Sequence, residues 1–518
     1  MIQIHPLTQA LISSLQISQS DKKDDSPKVE VSETVTFLGA LYEKMRNAVE
    51  YREGHLVRKA AIERVIRRRI VINQGGAEYI ETLVKEMLWG RYLASGSITE
   101  KTVEQAKNAA TRYFDLRRKL ISQLNNQQQI NEVSDWIISQ LSCKLEFILA
   151  PNPKIEAITN YVYQWLRNNI HIENESEATK DILIYLAIQE GLNKVDTPLL
   201  RYHLVELYGE EKLFADFWGT YKFVNKHVEH PLRNKLVNYV RKQTAPFLIL
   251  ESIVLTNSPD QVKRILTDEK TLVEKITTIC TSKYKQVSKR LRRAAIRSVI
   301  YLFLTKAIFA ILLEVPFDRY LEGEIKIVPL IINTSMPPIL MGLIALLITT
   351  PGKDNTKRII DRIKEIITTQ KPNTDKKQFD ANPSVNRPLL AFIFTTIYSL
   401  TFLLIFGFII WGLTNLNFNF ASQLIFIFFL TVVSFFAYRI RLIPREYVYK
   451  EKGNVFAPII DFLMVPILSV GKRLSSDLSK INVITFIFDF ILEAPFKAIF
   501  EVFEEWFGFM KSKREEIA

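Results

Sequence analysis

Apolar positions change their spacing once along this chain. From about Val35 to Arg293 they recur at helical intervals among frequent charges; from Ala294 onward they run together in long charge-free stretches rich in Phe, Ile and Leu. In the first regime, residues 56–72 are typical. Leu56, Val57, Ala60, Ala61, Val65 and Ile66 form one stripe and basic side chains fill the rest, the pattern of an amphipathic helix. Similar periodicity predicts helices over 77–94, 100–124, 131–149, 154–171, 178–190, 197–208, 210–228, 231–256 and 259–284. Gly75-Gly76 supplies a stop, Ser97 and Thr99 offer N-caps, and Pro198, Pro231 and Pro259 fit first-turn positions. No segment shows sustained strand alternation, so an all-α fold is expected. The polar run Asn125 to Gln129 divides this half into helical subdomains at 34–124 and 131–293, and residues 1–33 read as a disordered lead-in.

The second regime reads as a polytopic α-helical membrane domain over 294–445. Residues 388–438 contain no charged side chain, which is room for two spans of about 20 residues and a turn. The turn is Asn415-Leu-Asn417-Phe-Asn419. Arg387 stands before the pair and Arg439, Arg441 and Arg445 after it, so both ends are assigned to the cytosolic face. An earlier pair is expected at 296–313 and 327–350, giving spans near 296–313, 327–350, 389–413 and 421–438. Pro329, Pro337 and Pro338 predict that the second of these is broken. In the tail, 446–518, the apolar segments 455–471 and 481–500 carry acids and prolines. They are expected to be re-entrant or interfacial, with both chain termini cytosolic at a plasma (inner) membrane.

Charge sharpens this picture. The net charge is +13, and the densest basic cluster abuts the first apolar span. Lys289, Arg290, Arg292, Arg293 and Arg297 are therefore candidate contacts for anionic lipids, in preference to nucleic acid. The consecutive Arg67, Arg68 and Arg69 are candidates for docking a cytosolic protein partner. Cys143 and Cys280 fall in helical patterns and read as reduced, buried thiols. His227 and His230 have the spacing of a helical metal pair, but no third ligand stands at a matching interval. No phosphate loop, nucleophile elbow, zincin or dinucleotide motif occurs, so neither a cofactor, a metal nor a catalytic residue is assigned.

A charge inside hydrocarbon is a functional suspect by default. Lys306 lies midway along the first span, and on a helix it projects within about 80° of Glu314, two turns on. Asp461, Asp489 and Glu493 of the tail are further candidates for the same intramembrane charge network. The proportions of the chain suggest a membrane-anchored interaction or scaffold protein with a cytosolic helical binding domain, able to self-associate. The alternative is an oligomeric channel or transporter using Lys306 and the neighbouring acids.

Overall fold

The structure is a computed structural model that describes residues 4–20, 26–29, 31, 36–37, 39–40, 43, 53–73, 77–317, 319–320, 323, 327–348, 350–368, 377–380, 388–442, 444–449, 457–480 and 506. It is all-α apart from one short strand pair among the described residues. The helices are α1 (Pro6–Ser20), α2 (Gly54–Asn73), α3 (Ile80–Trp89), α4 (Glu100–Ile121), α5 (Gln127–Leu149), α6 (Pro153–Arg167), α7 (Glu177–Gly191), α8 (Thr197–Tyr208), α9 (Glu210–Ala215), α10 (Phe217–Val228), α11 (Arg233–Thr256) and α12 (Pro259–Thr267). There follow α13 (Glu269–Phe309), α14 (Ile327–Leu347), α15 (Lys353–Thr368), α16 (Pro388–Asn415), α17 (Phe420–Leu442) and α18 (Ala457–Lys480).

Local chemistry sets most of the boundaries. Thr99, Asn126, Ser176, Asp196, Asp216, Ser258 and Asp268 each cap a helix by accepting from a backbone N–H of its first turn. Two caps fall inside stretches expected to be single helices. Asp216 divides 210–228 and Asp268 divides 259–284, because an acceptor side chain competes for N–H groups that would otherwise continue the ladder.

The first 300 residues form two adjoining apolar cores, and their division is not the expected one. α4 and α5, on either side of the 125–130 linker, pack together in one core built from α2 to α5 and α8 to α10, around Ile62, Met87, Tyr113 and Leu141. The second core joins α6, α7, α11, α12 and the start of α13. It also takes in segments from both ends of the chain. α1 buries Leu11, Ile12 and Leu15 there, so residues 6–20 are not a disordered lead-in. From beyond the first apolar hairpin, α15 inserts Ile359, Ile363, Ile366 and Ile367, a helical stripe at most 2% exposed. Tyr449, after α17, completes it. Asn355, itself buried, fastens this segment: its amide donates to the Tyr447 carbonyl at 2.7 Å and its Oδ1 accepts from the Tyr449 N–H at 2.8 Å. The strand pair makes a similar tie, with β1 (Ile170–Glu173) parallel to β2 (Lys377–Asp380) in the register Ile170 to Lys377.

Among the described residues, four helices are long and apolar enough to cross a membrane, over Glu269–Leu312, Ile327–Ile344, Phe392–Asn415 and Phe420–Tyr447. α13 is one 41-residue helix that begins in the second core and runs on through the basic cluster into the apolar bundle. A short π-helical stretch, Ala310–Glu314, follows it. Its neighbour α14 is continuous rather than broken, with Pro337 and Pro338 inside it. Pro337 and Pro338 leave the Asn333 and Thr334 carbonyls without their i+4 donors, an irregularity tolerated in apolar helices where neighbouring groups take up freed backbone groups. Between α16 and α17, Asn417 adopts a left-handed conformation (φ 59°) and Asn419 caps α17 through the Ser422 N–H at 2.7 Å, which explains the asparagines of that turn.

Contact pairs fix the relative directions in the bundle. Asn333 reaches Ser422 while Met341 packs on Val433 and Ala437, so α14 and α17 run parallel. In the tail, expected to lie re-entrant or along an interface, α18 runs antiparallel along α17. Asp461 pairs with Arg441 at 3.4 Å, and ten residues on, Gly471 meets the Thr431 backbone. Gly471 is what permits this line, since a Cβ there would stand 2.1 Å from the Thr431 carbonyl oxygen. The expected second tail segment, 481–500, lies outside the described residues.

Candidate functional site

The charges marked by the sequence go to three different environments. Lys306 and Glu314 meet at 2.8 Å between Nζ and Oε1, with side chains 0% and 1% exposed. The Lys306 ammonium also lies 4.4 Å from the centre of the Phe429 ring on α17. This is a packed ion pair, and its second carboxyl oxygen has no hydrogen-bond partner among the described residues. Asp461 does not join it, because Arg441 holds that carboxylate at an exposed position. Asp489 and Glu493 lie outside the described residues.

Arg67, Arg68 and Arg69 are not a common docking face. Arg67 is held by Glu63 at 2.6 Å and by Asp135, while Arg68 is buried against Glu86 at 2.6 Å. Both are occupied by intramolecular acids. The side chain of Arg69 lies outside what is described. The basic residues Lys289, Arg290, Arg292, Arg293 and Arg297 are all exposed on α13, as a lipid-contacting set requires. His227 and His230 turn to different partners, the Phe223 carbonyl and the Glu175 carboxylate. No group of three metal-ligating side chains occurs among the described residues. Both cysteines are buried free thiols, as their helical positions suggested.

The arrangement that sequence reasoning missed is a cleft of about 790 Å³ where the two cores meet. α2, α5 and α8 form one wall, α6, α7 and α11 the other, and the membrane-proximal residues Lys283, Glu446 and Tyr447 close one end. Six glutamates line it, Glu53, Glu146, Glu156, Glu206, Glu251 and Glu446, against the cations Arg58, Lys194 and Lys283. Most are already matched. Arg58 holds Glu146 at 2.6 Å, Lys194 bridges Glu53 at 2.8 Å and Glu446 at 2.7 Å, and Lys144 outside the cleft holds Glu206 at 3.0 Å. Glu156 and Glu251 have no ion-pair partner among the described residues. Burial raises the Glu251 carboxyl above the usual carboxylate range against the pull of Lys283 and Lys194, and desolvation in the concave wall also raises Glu156.

Two histidines complete the lining. His203 stacks edge-on against Phe147 and Tyr185, with ring centres at 5.6 and 5.9 Å, and its Nδ1 lies 3.4 Å from the Tyr185 hydroxyl. Gln189 donates to that same hydroxyl at 2.9 Å. Burial pushes His203 down to about 4, with His55 adding to the shift, and burial lowers His55 too. Both imidazoles are therefore neutral near pH 7. The Nε2 of His55 is buried without a hydrogen-bond partner among the described residues.

No family model, curated protein or solved structure matches the chain. A concave, partly aromatic volume of this size at a junction of two cores suits a small ligand. It draws on residues from Glu53 to Tyr447, so no local motif could have announced it.

The histidines give a testable pH dependence. Unfolded, an imidazole titrates near pH 6.5; folded, His203 accepts its proton only near pH 4. Its contribution to stability is thus complete above about pH 6.5 and is lost as pH falls towards 4. The loss amounts to about 2 kcal/mol once partial exposure of the ring is allowed for. Thermal melts of wild type should fall across that window, and His203→Gln should flatten the fall, His55 accounting for what remains. An unchanged slope in the variant would remove His203 as its source.

Proposed function

We propose that this protein is a membrane-anchored binding protein, whose helical domain receives a ligand in the cleft between its two cores while the apolar bundle holds it at the bilayer. The observation that carries this reading is the integration of span-linking segments into the domain. α15, between the second and third apolar helices, supplies four isoleucines to the second core, and Glu446 and Tyr447, at the end of the fourth, stand on the cleft itself. Those segments and the N-terminal domain therefore share one face of the membrane if the four helices cross it, in accord with a cytosolic location for the basic flanks. The exposed basic set on α13 would lie against anionic lipid headgroups on that face.

Two measurements test the reading. In sealed vesicles, a single cysteine at Asn417 should be labelled from one side, and cysteines at Gln128 and Asp354 only from the other; labelling of Asp354 together with Asn417 would overturn the shared face. In liposomes, the purified protein should carry no ion or small-solute flux. The competing reading, a transport pathway, draws on two buried acceptors without partners among the described residues, Oε2 of Glu314 and Oδ1 of Asn333. Flux that disappears when Lys306 and Glu314 are both replaced by apolar residues would put that reading first.

A further inference from the structure

We infer that the cleft takes an organic cation of the alkylamine class, an inference that rests on the proposed role of the cleft as the ligand site. An acidic lining alone would assign nothing; the enclosure, the aromatic wall and the unpartnered polar groups do. The protein carries a net charge of +13, yet its cleft presents six glutamates to three cations. That local reversal of sign focuses a field that attracts positive charge into a concave site.

The pairing within the cleft leaves specific valences open. Arg58 and Lys194 are spent on Glu146, Glu53 and Glu446, whereas Glu156 on α6 and Glu251 on α11 retain free carboxyls across the same volume. An ammonium group between them would gain charge-assisted hydrogen bonds that neither acid now makes. Beside them stand Phe147 and Tyr185, aromatic rings whose faces attract a cation desolvated from water. Leu248 and Leu255 on α11 supply apolar surface along which an alkyl chain can lie. An anion would instead find only Lys283 without an acid at ion-pair distance among the described residues, its ammonium lying 5.9 Å from the Tyr447 ring centre.

The test uses the full chain in detergent micelles, with spermidine as the probe and citrate as the anionic counterpart, followed by titration calorimetry. Spermidine should saturate one site per chain and raise the melting temperature, and citrate should do neither. Glu156→Gln combined with Glu251→Gln should weaken spermidine binding at least tenfold, a loss of about 1.4 kcal/mol. Glu211→Gln, outside the cleft, should bind as wild type does. Each variant is first melted without ligand, so that a folding defect is seen directly. Undiminished spermidine binding by a double variant that melts like wild type would overturn the assignment. Saturation by citrate and not spermidine would overturn the ligand class while leaving the cleft as a binding site. Binding of neither probe would count against the cleft as the ligand site and so against the proposed function as well.

Discussion

Glu314→Gln should destabilise the apolar bundle more than any other single exchange considered, by about 3–5 kcal/mol, and Lys306→Met should cost less. Both charges are sealed from solvent and meet at 2.8 Å, so removing either partner strands the other in a medium that hydrates it poorly. What differs is the escape route. After Lys306→Met the carboxyl can take up a proton, and from a reference value near 4.3 that costs about 3.7 kcal/mol at pH 7. After Glu314→Gln the ammonium must lose one, and from a reference near 10.4 that costs about 4.6 kcal/mol. The difference, about 1 kcal/mol, sets the order of the two variants. Replacing both partners by Met and Leu removes the stranded charge altogether and should recover most of the lost stability, as exchanges of buried ion pairs for apolar groups commonly do. Melting in detergent reads all three. A Glu314→Gln protein as stable as Lys306→Met would show that the pair is not sealed from water.

Gly471→Ala should part α18 from α17. The obstacle is backbone: an added Cβ would stand 2.1 Å from the Thr431 carbonyl oxygen and 2.7 Å from its carbon, with Phe435 Cβ at 2.9 Å. A flexible side chain can turn aside at small cost, but a helix backbone can yield only by moving the whole helix. We expect a loss of about 3 kcal/mol, at the upper end of the usual cost of overpacking, and more for Gly471→Val. Gly407, inside α16, is the control, because a Cβ there meets nothing within 4 Å. Gly407→Ala should be neutral or stabilise slightly through lost backbone freedom of the unfolded chain. Displacement can be read separately from stability. Cysteines replacing Arg441 and Asp461, which pair across α17 and α18 at 3.4 Å, should be joined by a short bis-maleimide in an otherwise wild-type background and fail to be joined with Gly471→Ala. Efficient cross-linking in that variant would mean that the helices accommodate the methyl without separating.

What the sequence alone determined about this protein is whatever depends on neighbours a few residues away. Helical spacing of apolar side chains marked most of the helices, and long apolar runs marked the four described helices that can cross a membrane, because helical period and bilayer thickness are both read along one segment. Lys306 and Glu314 were legible for the same reason, being two turns apart on one continuous course. What only the tertiary structure decided is everything set by partners distant in the chain. Arg67 and Arg68 looked like a free basic surface until Asp135 and Glu86 were brought against them. α1 looked solvated until Tyr161 and Ile367 closed over it, Thr8 meeting the Tyr161 hydroxyl at 3.0 Å and the His5 N–H donating to the Ile367 carbonyl at 2.8 Å. α15 carries an amphipathic stripe plain enough in its sequence, but nothing local says that its apolar face belongs to a core begun two hundred residues earlier. The cleft is the extreme case. Its carboxyls, imidazoles and aromatic rings come from helices throughout the chain, and their convergence depends on how two cores pack, which no spacing along the sequence encodes.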